Sequence, residues 1–273
     1  MRILVALAVL MWSSPLFASD GDEIAKLLDK QANLATGSGA YMDDAPLVAT
    51  LPYAQVGSLT NASGLVDMLA PPSTTLSGED AKDRQLAIAR DGKSAWATFT
   101  VRVTVQDAPQ LYRVSDLLVK TSQGWRIAAT AWTEAIANDV VNKEAKAGKR
   151  SFDYLVLEVK NSDAALVAAF NKLATDGVDA TAATRKDLVV VGSGPGERTI
   201  GGGAFAKPWK AAWVKHVTVS SAVARVAPSG TTGWVIATIV LDKRTYKVPF
   251  LVFCVFDKTA AGDWSLVHIQ FAA

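Results

Sequence analysis

Residues 187–197 read Asp-Leu-Val-Val-Val-Gly-Ser-Gly-Pro-Gly-Glu, an apolar run followed by three glycines at alternate positions. Such a run can deliver a dinucleotide's pyrophosphate to a helix N-terminus, which requires G-x-G-x-x-G opening into a helix. Gly192 and Gly194 fill the first two places, but the third is Glu197, whose carboxylate repels a phosphate. Gly201–Gly203 follow, and three glycines cost the first turn of a helix about 1 kcal/mol each, so no helix is expected to carry them. No Gly-Lys-Ser or Gly-Lys-Thr follows, which removes the P-loop. What remains is a strand, a Gly-Pro-Gly turn, and a short helix expected near Phe205 with Pro208 in its first turn.

Proton-transfer chemistry has few candidates. An acid or base working near neutral pH needs a burial-shifted pKa, so a lone polar residue on an apolar strand is the type to seek. The chain has two histidines. His268 sits in the final strand-like run, on the alternation shared by Trp264, Leu266 and Gln270; His216 falls at a helix-to-strand junction and reads as surface. Asp116, in Tyr-Arg-Val-Ser-Asp-Leu-Leu-Val, is either a pocket carboxylate or, as expected here, a solvent-facing or turn-edge aspartate. Tyr41, Asp43 and Asp44 read as an ordinary polar loop. Two histidines and one cysteine at unrelated spacings do not make a zinc site, and there is no G-x-S-x-G elbow. Cys254, inside Phe-Leu-Val-Phe-Cys-Val-Phe, reads as a buried, inert thiol and excludes an intrachain disulfide. No metal and no cofactor is expected.

The elements that must position these groups are written twice. Strand-like runs beginning near Trp96, Tyr112 and Trp125 recur near Trp234, Tyr246 and Trp264, at spacings of 138, 134 and 139 residues. Each copy has three strands rich in Val, Ile, Thr and aromatics, with Gly124 and Gly262 in the last turn. A helix precedes each set. One places Ile24, Leu27, Leu28, Gln31 and Leu34 at helical spacing; the other places Leu166, Val167, Phe170 and Leu173 behind a Ser162 or Asp163 cap and before Gly177. A second short helix is expected at 63–69. The fold class is therefore α+β, with helices on one face of a curved antiparallel sheet in each copy. In the run from Tyr246 to Val255 both alternating faces are apolar, so that strand is expected to be covered on both sides.

The N-terminus carries Arg2, an apolar core from Ile3 to Trp12, a Ser-Ser-Pro break and a small-residue exit at Ala18, the anatomy of a signal peptide over 1–18. Its apolar run is shorter than the ~20 residues a membrane span needs. Cleavage leaves 27 basic and 26 acidic residues, because Arg2 is the one charge removed from 28 and 26. A net charge of +1 gives no electrostatic reason to seek nucleic acid or an anionic membrane. The expected organisation is a signal peptide at 1–18, a first domain at 20–135, a linker at 136–151 and a second domain at 152–273. Asn61-Ala62-Ser63 is a glycosylation sequon, relevant only in a eukaryotic source.

The stretch from Asp187 through Pro-Gly-Glu to Trp213, and the final Gly-Asp-Trp-Ser-Leu-Val-His-Ile-Gln-Phe, resemble SnoaL-like domains of the nuclear transport factor 2-like superfamily. The resemblance covers nearly all of 152–273. The first copy fits by element order and by Gly124–Ala135, and lacks the Pro-Gly-Glu segment. It implies two cone-shaped domains, each a bent sheet wrapped round helices with a pocket inside, and pairing through the sheets, within the chain or as a homodimer. It also makes His268 and Gln270 the candidate ligand-binding residues of a C-terminal pocket. The first copy has Ala129 and Ala131 at the matching positions. The expected role is an exported protein, periplasmic or secreted, that binds a small apolar molecule or a protein partner without catalysis. The alternatives are an isomerase, cyclase or hydratase using the C-terminal pocket, and a purely structural sheet-pairing module.

Overall fold

The computed structural model describes residues 19–33, 38–50, 55–56, 74–79, 83–105, 108–150, 159 and 161–273. The signal-peptide segment, the sequon and the short helix expected at 63–69 lie outside the described residues.

Helix α1 (Asp20–Ala32) starts from a reciprocal cap: the Ser19 hydroxyl accepts from the Asp22 N–H, and Asp22 accepts from the Ser19 backbone. It buries Ile24, Leu28, Gln31 and Ala32. Strands β1 (Leu47–Thr50), β2 (Gln55–Val56), β3 (Thr74–Glu79), β4 (Gln85–Ile88), β5 (Ser94–Val105), β6 (Ala108–Thr121) and β7 (Gly124–Glu134) form one sheet in the order β2-β1-β7-β6-β5-β3, with β4 also on β5. Helix α2 (Asn138–Lys146) follows, burying Val141 and Ala145 against the second half of the chain. Its Asn142 accepts a 3.0 Å bond from the Tyr246 hydroxyl.

The second copy comprises α3 (Ala164–Asp176), α4 (Ala180–Thr184), β8 (Val189–Val191), β9 (Arg198–Ile200), α5 (Gly202–Ala212), β10 (Val217–Val226), β11 (Thr232–Asp242), β12 (Lys247–Lys258) and β13 (Trp264–Ala272). Its sheet runs β10-β11-β12-β13-β8-β9, with β8 parallel to β13 as β1 is parallel to β7. Asp163 caps α3 by accepting from Leu166 N–H at 2.8 Å, while Ser162 accepts from the β10 backbone at Ala224. Strand β10 does alone what β3 and β4 do together in the first sheet, pairing along the length of the next strand.

The registers fix the repeat. Trp96 lies opposite Leu117 and Trp234 opposite Val255; Ser115 lies opposite Ala131 and Phe253 opposite Gln270. The offset is thus 138 residues along both β5/β11 and β6/β12. Tyr112 therefore corresponds to Phe250, and the Tyr112–Tyr246 pairing suggested by sequence gives way to register.

Three apolar cores result. One fills the first cone under α1, one fills the second under α3 and α5, and the third lies between the outer faces of the two sheets. The last joins Trp96, Leu117, Ala129 and Ala131 to Trp234, Ile236, Leu251, Phe253 and Val255. Strand β12 is covered on both sides as its composition requires: Val248, Phe250, Val252 and Cys254 face the second cone, and Leu251, Phe253 and Val255 face the first domain.

The glycine-rich stretch has a local explanation. Strand β8 leads through a turn to β9, and Glu197 folds back over that turn to accept from Gly194 N–H at 2.8 Å. A Cβ on Gly192 would stand 2.4 Å from a Glu197 carboxylate oxygen, and one on Gly194 2.9 Å from its carboxyl carbon. These glycines make room for the half-buried Glu197 side chain. Helix α5 departs from expectation by starting within the glycines at Gly202, so Pro208 falls past its first turn. The reason is close approach: a Cβ on Gly202 would lie 1.7 Å from the Ala182 carbonyl oxygen. Backbone contact there outweighs the intrinsic cost of glycine in a helix. Gly202→Ala is expected to lose about 2–3 kcal/mol of unfolding free energy in urea. Gly203→Ala, whose added Cβ meets nothing nearer than 3.7 Å, should stay within about 1 kcal/mol of wild type. Equal losses would contradict the close-approach explanation.

Candidate functional site

His268 and Gln270 are both buried, on the outer face of β13 between the two domains. A register shift opposite Val255 and Phe256 sets them there. Val267 is an extra residue, so Leu266 points into the second cone, and His268, Gln270 and Ala272 turn toward the first domain. The shared face of Leu266 with His268 and Gln270, expected from simple alternation, is broken at that bulge. Strand β7 has the same irregularity at Ala128, between the Leu117–Ala129 and Leu118–Ile127 pairs.

Across the interface His268 Nε2 meets Ser115 Oγ at 2.7 Å, and the Ser115 hydroxyl donates to the Gln270 amide oxygen. Gln270 Nε2 donates to Thr133 Oγ1 at 2.8 Å and to the Arg113 carbonyl at 3.2 Å. Ala129 and Ala131, the counterparts of His268 and Gln270, lie in the same buried layer and leave the space these side chains occupy. Further along, Asp83 binds Arg113 and Thr100 of the first domain and Arg198 of the second. Burial holds the His268 imidazole far below its usual range, at about 3, and the Arg198 charge pushes the same way against a backbone hydrogen bond at Val189. His268 is neutral at physiological pH.

The remaining candidates separate. His216 is exposed after α5, its N–H bonded to the Trp213 carbonyl. Asp43 and Asp44 are exposed, with Asp44 paired to Arg225 across the domains, whereas Tyr41 is buried in the first core. Cys254 is buried, and burial pushes its thiol up.

Asp116 lies in the first cone, wholly buried, contrary to the solvent-facing position expected from sequence. Gln31 of α1 reaches it with Nε2 at 2.9 Å from Oδ1, and the same amide lies 3.2 Å from Thr130 Oγ1. The fixed offset explains the position: Val114, Asp116 and Leu118 share the inward face of β6, as Val252, Cys254 and Phe256 share that of β12. The Gln31 amide oxygen and the Trp132 indole N–H, both buried in this cone, have no protein partner.

The second cone is apolar at each matching position. Cys254 stands for Asp116, Ile269 for Thr130, Phe250 for Tyr112 and Phe271 for Trp132. Its interior carries a layer of rings, with Trp209 stacked on Trp213 at 4.9 Å and Phe271 5.0 Å from Trp213. Trp209 Nε1 donates to the Leu173 carbonyl at 3.0 Å. Among the described residues no polar side-chain atom inside this cone lacks a partner. The contrast with Gln31, Asp116 and Thr130 is the chemically informative feature. Gln31 is visible in the sequence as a polar residue on the buried face of a helix, and Asp116 as one in an apolar run; their meeting is not.

Because His268 is neutral when folded and titrates near its ordinary 6.5 when unfolded, the unfolded state takes up the proton first as pH falls. Its contribution is full above about pH 6.5 and declines as pH drops toward 3. Urea unfolding at pH 5.5 should show about 1 kcal/mol less stability than at pH 7. His268→Gln should remove that pH-dependent part, and an unchanged difference in the variant would exclude His268 as its source.

Residues 159–273 match a family model described as SnoaL-like domain. No curated protein matches the chain. Similar solved structures include an NTF2-like protein of unknown function from Prochlorococcus sp. NATL2A, at 17% identity, covering 45% of this chain and 98% of that one, TM-score 0.36. An NTF2-like protein of unknown function from Methylobacillus flagellatus matches at 18% identity, 45% and 97% coverage and TM-score 0.31. A putative ketosteroid isomerase from Parabacteroides distasonis matches at 11% identity, 42% and 93% coverage and TM-score 0.33.

Proposed function

We propose that this chain, whose residues 159–273 belong to the SnoaL-like domain family, is an exported binding protein with unequal cones. The first takes a small, largely apolar molecule carrying a polar group. The second serves as its fixed partner. The leader-like residues 1–18 support export. One observation carries the binding reading: the first cone buries Asp116, Gln31 and Thr130, with the Gln31 amide oxygen and the Trp132 N–H unpartnered, where the second has apolar side chains. An unmet buried polar group costs about 1–3 kcal/mol, so two of them in one interior favour an occupant that supplies the missing bonds. A proton-transfer role in the same cone is the second reading, favoured by the complete burial of the Asp116 carboxylate.

Thermal unfolding with a panel of ketosteroids, aromatic polyketides and fatty acids tests both. At 100-fold excess over Kd a bound member stabilises by about 2.7 kcal/mol, which raises Tm by several degrees. Asp116→Leu should abolish the rise, while Cys254→Ser at the matching position of the second cone should retain it. A panel without effect, or a rise lost only in the Cys254 variant, would refute binding in the first cone. Asp116→Asn keeps an acceptor but removes the base. If it retains binding while solvent deuterium exchange into a bound ketosteroid stops, the catalytic reading is the correct one.

A further inference from the structure

Outside both cones, the seam between the domains contains a cleft of about 110 Å3. Leu86, Trp96 and Thr98 line it from the first domain, and Lys186, Ile200 and His268 from the second. Its polar groups are unbalanced. Trp96 is 3% exposed, yet its indole N–H has no hydrogen-bond partner. Arg198, two residues before Ile200 on β9, buries Nε and Nη2 without partners, and its charge is felt at His268. Lys186 adds an ammonium group at the rim.

Several acceptors at the cleft are already engaged, whereas His268 Nδ1 has no partner. Both carboxylate oxygens of Asp187 accept from the Nε–Nη2 edge of the Arg185 guanidinium, at 2.9 and 2.7 Å. That guanidinium also lies over the Trp96 ring, 5.6 Å from its centroid. The Thr98 hydroxyl donates to the Val114 carbonyl at 2.8 Å, and the neutral His268 ring is bonded to Ser115. The unmet Trp96 N–H and the Lys186 charge therefore belong to residues that line the cleft beside an apolar wall made by Leu86, Val189 and Ile200. An apolar cavity of roughly 150 Å3 holds a benzene molecule, so the space here suits a smaller compound.

We infer that this cleft binds a short-chain organic carboxylate. The carboxylate accepts from the Trp96 N–H and pairs with Lys186, and the alkyl part lies against Ile200 and Leu86. This site is independent of the cone-binding function, and either can fail without the other.

The test is a titration of the purified protein with sodium propionate, read on the indole N–H signals in 1H–15N spectra at constant ionic strength. Trp96→Phe identifies the Trp96 signal by its loss. The expected result is a saturable shift of that signal, with a half-saturation concentration raised at least threefold by Lys186→Ala. Propionamide, of the same shape without the charge, should need at least tenfold more for the same shift. A Trp96 signal that follows the sodium chloride control overturns the proposal. So does equal response to propionamide, or a saturable shift indifferent to Lys186→Ala. Lys186 is exposed, so the last comparison needs no substitution of a buried residue; if Trp96→Phe fails to fold, triple-resonance assignment of the wild-type protein identifies the Trp96 signal instead.

Discussion

A β-sheet with apolar side chains on both faces has to be covered twice, and this requirement organises the molecule. Each sheet closes its inner face over helices, α1 in one case and α3 with α5 in the other. The outer faces would expose Trp96, Leu117, Trp234, Phe253 and Val255 to water; they bury one another instead. At roughly 25 cal/mol per Å2 of apolar surface, such a layer contributes as a domain core does. Several polar groups within it bond across the seam, His268 and Gln270 to Ser115 and Gln270 also to Thr133 and the Arg113 carbonyl, so the layer has a defined registration as well as adhesion.

Given that shared back, the interiors are free to differ. Aromatic rings pack on one another in the second cone, with Trp209 anchored through its indole to the Leu173 carbonyl. The first cone keeps a carboxylate and a hydroxyl at positions where its neighbour has a thiol and an aliphatic side chain, and the Gln31 amide bonds both. The buried Gln31 amide makes two bonds through its nitrogen and leaves its oxygen unmet, an arrangement that costs stability. On the binding reading proposed above, the aromatic interior of one half and the polar interior of the other divide work that a symmetric pair would duplicate.

Much of the scaffold is legible in the chain. The recurring tryptophans mark the repeat, the two-faced run from Tyr246 to Val255 announces a doubly covered strand, and Asp163 and Gly177 bracket their helix. The side-chain directions that decide the site are less legible. One extra residue at Val267 reverses which face His268 occupies, and no local sequence signal distinguishes it from an uninterrupted alternation. Asp116 reads alike as an edge or an interior residue until Gln31, 85 positions away, is brought beside it. Gly202 shows the converse, where tertiary contact with the Ala182 carbonyl overrides a local propensity read correctly.

The bulged strand faces have an implication for how such a chain can change. In a two-fold homodimer every residue on the dyad-facing surface appears twice, so a histidine at the position of His268 brings a second histidine with it. Here that position is imidazole in one copy and the methyl group of Ala129 in the other. Joining the copies in one polypeptide lifts the symmetry constraint and turns one self-complementary surface into a matched pair that can vary independently. Two copies of the second half would set His268 against its own duplicate and leave Gln270 without Ser115, and two copies of the first would leave Ser115 without His268 and Gln270. Covalent linkage thus protects an asymmetric fit that free association between equal subunits could not encode.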